Sequence, residues 1–367
     1  MILLIGNRVK GYIDRMDTTS PDNETADHAL VPMQSVGPVP IRGPEVEADL
    51  MVPLASYESP VWPSTQRGAR VCARAGGIIT LILDERMTRS VIFEAPSVVV
   101  AAAAAQSLGD RLDELRDVAS ETTRFGKLVN LNTQIVGKLL YVRFEMTTGD
   151  ASGHNMVTLA ADRLMQWILG EYVGLTYVSI SGNLCTDKKA SAVNGLLGRG
   201  KNVVAEVTIS RELCKKYLRT TPEALHALNI KKNLVGTSLA GGLRSANAHF
   251  ANILLAFYLA TGQDAANIIE GSQGFTYTDV VGDDLYFSVS IPNVIVGTVG
   301  NGKDLGFVED NLEALGCREK REPGENARRL AIICGATVLC GELSLLAAQT
   351  NPGELMRAHK TLERKGS

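Results

Sequence analysis

Three short strings hold residue types whose spacing could do chemistry. Ser181-Gly182-Asn183-Leu184-Cys185-Thr186-Asp187-Lys188-Lys189 sets an acid beside two lysines in a turn. Ammonium groups so placed can stabilise an oxyanion or hold a carboxylate. The same string also reads as a solvated polar turn, since adjacent surface charges are common. Thr147-Thr148-Gly149-Asp150-Ala151-Ser152-Gly153-His154-Asn155 stands at a strand-to-helix junction. Backbone amides at a helix start bind phosphate, and an N-capped helix behind a glycine turn gives the same pattern. Gly297-Thr298-Val299-Gly300-Asn301-Gly302 can approach a ligand backbone-first or close a tight loop after a strand. None of these is GxGxxG, so a Rossmann unit is not indicated.

Three single residues add to them. Asp264 ends the string Ala260-Thr261-Gly262-Gln263-Asp264 just past an apolar helix, where it can tune a lysine's proton affinity or simply stop the helix. Glu58, within Pro53–Ser59, can act as an acid if its surroundings are apolar, or stand as a surface carboxylate. His359, close to the end of the chain, can donate a proton near neutral pH or be solvated. The six cysteines are scattered, with no CxxC pair, which argues against zinc and for a reducing, cytoplasmic compartment.

The elements that must position these residues follow from patterning. The chain has 367 residues, 45% apolar and 21% charged, enough for a sizeable core and about two domains. A net charge of −3 with no basic stripe excludes nucleic acid as a first choice of partner. The apolar run Val98–Ala105 is far short of the ~20 residues that cross a bilayer. Residues 14–50 read as loop-rich, and Ile78–Leu83 as a short apolar run. A helix over 97–120, strands within 134–146 about a Gly137-Lys138 turn, a helix Asn155–Tyr172 and a strand Thr176–Ile180 would close a small domain. Beyond it come a strand Val203–Ile209, helices near 211–218 and 221–230, and a buried helix Ala246–Thr261. Strands Leu285–Pro292 and Val294–Val299, a long helix Glu325–Gln349 and a last helix near 353–364 complete the chain.

In order and wording these strings resemble hydroxymethylglutaryl-CoA (HMG-CoA) reductase. The match is carried by SGNLCTDKKASAVNGLLGRGKNVVAEV (181–207), RFEMTTGDASGHNMVT (143–158), NIKKNLVGTSLAGG (229–242), NAHFANILLAFYLATGQDAAN (247–267), VGTVGNG (296–302) and PGENARRLAIICGATVLCGELSLLAA (323–348). It covers about residues 50–360 and is similar to the first class of the family, in a soluble prokaryotic form without a membrane anchor. The resemblance implies an α+β fold: a large, mainly helical substrate-binding domain (1–88 and 181–367) with an inserted small ferredoxin-like dinucleotide-binding domain (89–180) that is not Rossmann.

Family members reduce HMG-CoA to mevalonate and CoA with two NADPH, in the mevalonate route to isoprenoids. By resemblance, Lys188 stabilises the oxyanion, Glu58 supplies a proton, Asp264 organises the pair, and His359 protonates the CoA thiolate. Arg89, Ser181, Asp187, Lys189, Lys232 and Asn252 match positions that contact the hydroxymethylglutaryl part, and Arg67 and Arg70 match basic positions near CoA. Arg124, Asp150, Ser152, Gly153, His154 and Asn155, with Val299, Gly300 and Gly302, align with the dinucleotide site. Arg124 favours NADPH, because a 2′-phosphate needs a basic partner; NADH is the alternative. No metal is implied. Family sites form between subunits, which implies a homodimer or homotetramer. The chain departs from the family where EGCLVAS becomes Glu58-Ser59-Pro60-Val61-Trp62-Pro63-Ser64, where Asn267 replaces a frequent Gln, and where His154 replaces Met or Gln. Two other readings compete: a non-catalytic acyl-CoA- or nucleotide-binding relative, and an NAD-dependent enzyme oxidising mevalonate.

Overall fold

The computed structural model describes residues 29–362, without the side chains of 358, 359, 361 and 362. It is a mixed α+β structure with two apolar cores.

Of the loop-rich reading over 14–50, residues 14–28 lie outside the described residues, and the rest is corrected by a hairpin. Strands β1 (Met33–Arg42) and β2 (Glu47–Ala55) pair antiparallel from Met33 opposite Ala55 to Arg42 opposite Glu47. Their inward side chains, Val36, Val39, Ile41, Val52 and Leu54, are buried. The glycines and prolines that suggested a loop sit at a bulge between Val36 and Val39 and at the turn after Arg42. Gly37 has φ +139°, and a Cβ there would meet the Leu50 carbonyl oxygen at 2.6 Å, so only glycine fits the bulge.

Helix α1 (Val61–Arg74) follows. Pro60 caps it and Pro63 lies in its first turn, where amides have no intrahelical partner and proline costs nothing. The two prolines that depart from the family string therefore start a helix. The Trp62 indole nitrogen donates to Leu54 O at 2.8 Å and pins α1 to β2.

Strand β3 (Ile79–Glu94) is far longer than the apolar run Ile78–Leu83. Its first half, Ile79–Arg86, pairs with β7 (Gly200–Ile209); its second, Met87–Glu94, pairs with β5 (Leu139–Thr147) and β6 (Thr176–Ile180). Position 88/89 thus falls inside a strand. After β3 the chain forms α2 (Val98–Asp110) and α3 (Leu112–Ser120), two helices broken at Arg111 where one was expected. The Ser97 hydroxyl caps α2 by accepting Val100 N–H at 3.3 Å. Next come β4 (Lys127–Val136), which pairs with β5 about the Gly137-Lys138 turn, then α4 (His154–Glu171) and β6. The local order is β3-α2-α3-β4-β5-α4-β6, and the strands lie β4-β5-β3-β6, all antiparallel. One apolar core, from Met87 to Ile180 with Ile295, fills this body.

The rest of the sheet continues β3-β7-β10-β9-β8, with β8 (Ser245–Ala246), β9 (Gly274–Val281) and β10 (Asp284–Val294). The larger body therefore carries more strand than a mainly helical domain would. The expected strand Val294–Val299 is absent, since the chain leaves the sheet at Val294. The helices of this body are α5 (Ala192–Leu197), α6 (Pro222–Leu228), α7 (Phe250–Ala260), α8 (Gly306–Ala314) and the 25-residue α9 (Glu325–Gln349), which packs against β7, β10 and β3. Among the described residues only α9 is long and apolar enough to cross a membrane, and 94% of its most apolar 18 residues are buried in the fold. Small residues make the burial feasible. A Cβ on Gly68 of α1 would lie 1.9 Å from Cys340 O of α9, so the two backbones touch. The last helix is α10 (Glu354–Leu362).

Candidate active site

The loop between β6 and α5 carries the acid and the two lysines. Three of its non-glycine residues, Asn183, Thr186 and Lys188, have φ between +52° and +56°. Backbone held in this region is strained and is kept only where the surroundings enforce it. Here the buried side chain of Asn194 enforces it. Its Nδ2 donates to Thr186 O at 3.0 Å and Lys189 O at 3.2 Å, and its Oδ1 accepts from the Thr186 hydroxyl. The Lys188 amide donates to Oε1 of buried Glu270 at 3.1 Å.

So held, Lys188 places Nζ 2.6 Å from Oδ2 of Asp264. Burial acts to raise the Asp264 carboxyl, but the hydrogen bonds from Lys188 and the Ala266 amide outweigh it and hold the group below its ordinary range. Asp187 points elsewhere. Its Oδ1 accepts from Arg199 Nη2 at 2.5 Å, and its Oδ2 lies 3.4 Å from Arg89 Nη1. Burial would raise this carboxyl too; Arg199, His154 and Arg89 together lower it. His154, at the start of α4, reaches the same cluster, with Nε2 3.2 Å from Asn267 Oδ1 and 3.8 Å from Asp187 Oδ1. Lys189 is exposed and donates to Asp187 O at 3.0 Å. Ser181 Oγ lies 3.0 Å from Cys185 Sγ.

A second set of residues lies around a cavity of about 350 Å³. Glu58, Arg67 and Asn252 line it, with His249, Ser344 and Glu354. Asn252 Nδ2 donates to Glu58 Oε2 at 2.9 Å. Arg67 is engaged by Ser344 and by Glu354 Oε1 at 2.7 Å. Lys188 and Asp264 do not line this cavity. Arg70 is exposed one turn from Arg67. Lys232 is half-buried, donates to Asn233 Oδ1 at 3.1 Å, and is pushed below its ordinary range by burial, with Glu342 opposing. His359 falls on α10, but its side chain lies outside the described residues.

The two remaining loops run side by side. Ala151 pairs with Val299 in a parallel bridge, and the Thr298 amide donates to Asp150 O at 2.8 Å. A Cβ on Gly297 would strike Ser152 N at 2.3 Å, so the loops meet only with glycine there. Gly153 caps α4 without a side chain, at φ +96°. Val299 and Gly300 are exposed, and a Cβ on Gly300 would meet nothing within 4 Å. Gly302 adopts φ +80° and Asn155 is exposed. Arg124 is exposed, with its guanidinium 5.6 Å from the Phe125 ring centre. Asp150 has a structural partner: its Oδ1 accepts the Ala327 amide at 2.9 Å and caps α9.

Arg199 and Glu270 were not picked out from the sequence. Both are fully buried, 3.3 Å apart through Nε and Oε1. Arg199 also donates to Thr88 O at 2.8 Å and so links β3 to the loop that carries Asp187 and Lys188. Burial raises Glu270, and its Oε2 has no hydrogen-bond partner. His249 was also overlooked; its Nε2 lies 2.9 Å from Gly341 O.

Comparison with known proteins bears on the family of the whole chain. The family model described as hydroxymethylglutaryl-coenzyme A reductase matches residues 26–364. The 3-hydroxy-3-methylglutaryl-coenzyme A reductases of Aeropyrum pernix and Pyrococcus horikoshii are each 44% identical to the chain. They cover 92% and 91% of it, and the matches span 80% and 81% of their own lengths. The Haloferax volcanii reductase is 41% identical, covering 99% of this chain and 91% of its own. Among solved structures, the fold is similar to a class II reductase of Streptococcus pneumoniae bound to NADPH. The TM-score is 0.71 at 19% identity, covering 93% of this chain and 89% of that one. With a family model matched over nearly the whole described chain and relatives this similar, the chain belongs to the hydroxymethylglutaryl-coenzyme A reductase family.

Proposed function

We propose that this protein reduces HMG-CoA to mevalonate and CoA with two NADPH. The observation that carries the reading is the Lys188–Asp264 pair, 2.6 Å apart on a strained loop and reached by the cofactor-side residue His154 through Asp187 and Asn267. When a hydride attacks a thioester, negative charge grows on oxygen, and an ammonium held by a carboxylate is placed to stabilise it. Asp264, ionised beside Lys188, keeps that charge in position. Glu58, hydrogen-bonded to Asn252 on the cavity wall, supplies a proton. His359 on α10 protonates the departing thiolate, whose thiol has a pKa near ~8.5. Arg89, Ser181, Asp187, Lys189, Lys232 and Asn252 hold the acyl part; Arg67 and Arg70 hold CoA.

The residues present fit a dinucleotide. The first turn of α4 is free of side-chain caps, Gly300 leaves open space, and buried Asn267 has an Nδ2 without a partner. Arg124, Ser152, Gly153, His154, Asn155, Val299, Gly300 and Gly302 would hold the cofactor, and the nicotinamide supplies the hydride. The strand arrangement β4-β5-β3-β6, with the helix pair α2–α3 after β3 and α4 before β6, supports reading residues 89–180 as a ferredoxin-like dinucleotide-binding insert. Because Glu58 lines a cavity that Lys188 and Asp264 do not, we read the complete site as shared between two copies. The test is nicotinamide absorbance with HMG-CoA and either NADPH or NADH. Two cofactors consumed per CoA released support the reading; CoA binding without cofactor oxidation would overturn it.

A further inference from the structure

His154 opens α4, yet its ring meets two other parts of the chain. Nε2 is 3.2 Å from Oδ1 of Asn267, three residues past Asp264, and 3.8 Å from Oδ1 of Asp187. The side chain is 18% exposed, and Asn267 is fully buried. The Asn267 Nδ2 has no hydrogen-bond partner, so the ring is the contact that its amide makes through the side chain. We propose that His154 is a positioning residue, whose ring ties the cofactor-side helix to the turn carrying Asp264 and to the carboxylate of Asp187. This rests on the reductase reading above.

The tie depends on the ring's charge. To donate to Asn267 Oδ1, Nε2 must carry the proton of a neutral ring or of an imidazolium. The charged groups facing the ring are Arg199 ahead of β7, Asp187 on the catalytic loop and Asp264 on the turn. Burial first, and Arg199 second, push the imidazole below its ordinary range, while Asp187, Asn267 and Asp264 act against them. The neutral ring therefore prevails at and above pH 7. As pH falls, protonation sets a positive charge 3.8 Å from a carboxylate that already holds Arg199 at 2.5 Å. The ring is drawn from the neutral amide towards Asp187, competes with Arg199, and slackens the turn. Turnover then falls on the acid side.

Two substitutions separate the bond from the charge. In His154→Gln the terminal amide keeps a donor but does not titrate; His154→Met keeps neither. The experiment measures kcat and KM of the full chain by NADPH oxidation between about pH 5 and 8, the range in which histidine titrates. We expect an acid limb in the wild type with its midpoint below the ordinary histidine value, absent from His154→Gln. At pH 8, His154→Met loses about tenfold in kcat, the equivalent of ~1.4 kcal/mol, and His154→Gln recovers part of that loss. An acid limb that persists in His154→Gln, or equal turnover of the two variants, overturns the proposal. Carbon-13 resonances of the five histidine rings give a readout independent of activity. The signal missing in His154→Gln titrates lower still in Asn267→Leu; an unchanged titration removes the contact. If the wild type oxidises no NADPH at any pH, the reductase reading fails, while the ring titration still decides whether the tie exists.

Discussion

Lys188 Nζ stands 2.6 Å from Asp264 Oδ2, and the two side chains keep 39% and 42% of their surface open. An exposed ion pair contributes little to stability. This one joins a strained loop to a turn, so its worth lies in placing a charge where substrate can reach it. Lys188→Ala should therefore lower kcat by about 10²–10³-fold or more, as loss of an oxyanion donor does. Its melting temperature and circular dichroism should match the wild type. Normal turnover in this variant would remove Lys188 from the chemistry.

Glu58 occupies a cavity that Lys188 and Asp264 do not line. If two copies build one site, Glu58→Gln and Lys188→Ala are each inactive alone. Unfolded together and refolded, the mixture should regain up to about a quarter of wild-type activity, because half the dimers are mixed and one of their two sites is intact. Continued inactivity of a mixture shown to contain mixed dimers would place the whole site in one chain.

The carboxyl of Asp187 is depressed by Arg199, which is itself fully buried. A depressed acid contributes stability above its unfolded pKa, near ~3.9, and loses it as pH falls through the folded value. Asp187→Asn should cost about 3 kcal/mol at pH 7, as loss of one partner of a buried pair does. As pH falls below the ordinary carboxylate range and through the depressed folded value, the difference should shrink. Urea unfolding over that range measures this; a constant difference would show that the charge is not what stabilises.

Gly68 and Gly109 make opposite cases in one protein. A Cβ on Gly68 would lie 1.9 Å from Cys340 O, whereas one on Gly109 in α2 would meet nothing within 4 Å. Gly68→Ala should destabilise by about 3 kcal/mol, because two helix backbones must part. Gly109→Ala should stabilise by roughly 0.5–1 kcal/mol through a less flexible unfolded chain. Chemical denaturation of the two variants checks both signs.

Arg124 is exposed near the start of β4. Arg124→Ala should raise the KM for NADPH about tenfold, close to 1.4 kcal/mol, and leave that for NADH little changed. An equal effect on both cofactors would mean that Arg124 does not read the 2′-phosphate.

Much of this was legible in the residues. Helix Glu325–Gln349 was read at both ends, because its apolar run is bounded by Gly324 and by the polar residues after Gln349. The β4–β5 turn at Gly137-Lys138 followed from alternation on either side. Lys188 and Asp264 were recognisable from their strings, though nothing local said they meet. The hairpin β1–β2 was hidden by the glycines and prolines that make its bulge and turn. The middle of β3 was hidden because Asp84, Glu85 and Arg86 interrupt the apolar pattern. They are matched by charges distant in sequence, Lys201 at 3.1 Å from Glu85 and Glu145 at 2.6 Å from Arg86. Arg199 and Glu270 escaped notice for the same reason: a buried ion pair leaves no periodicity.

Strand β3 belongs to both bodies, its first half laced to β7 and its second to β5 and β6. The smaller body is therefore not a bead on a string. Cutting the gene at residue 88 would break the strand that the two bodies share, leaving Ile79–Arg86 on β7 and most of the rest on β5 and β6 with no covalent link between them. A chimaera that exchanges cofactor specificity between relatives must carry β3 whole or splice at the loops beyond its ends. The two bodies have no free joint at β3, and heat should unfold them as one cooperative transition.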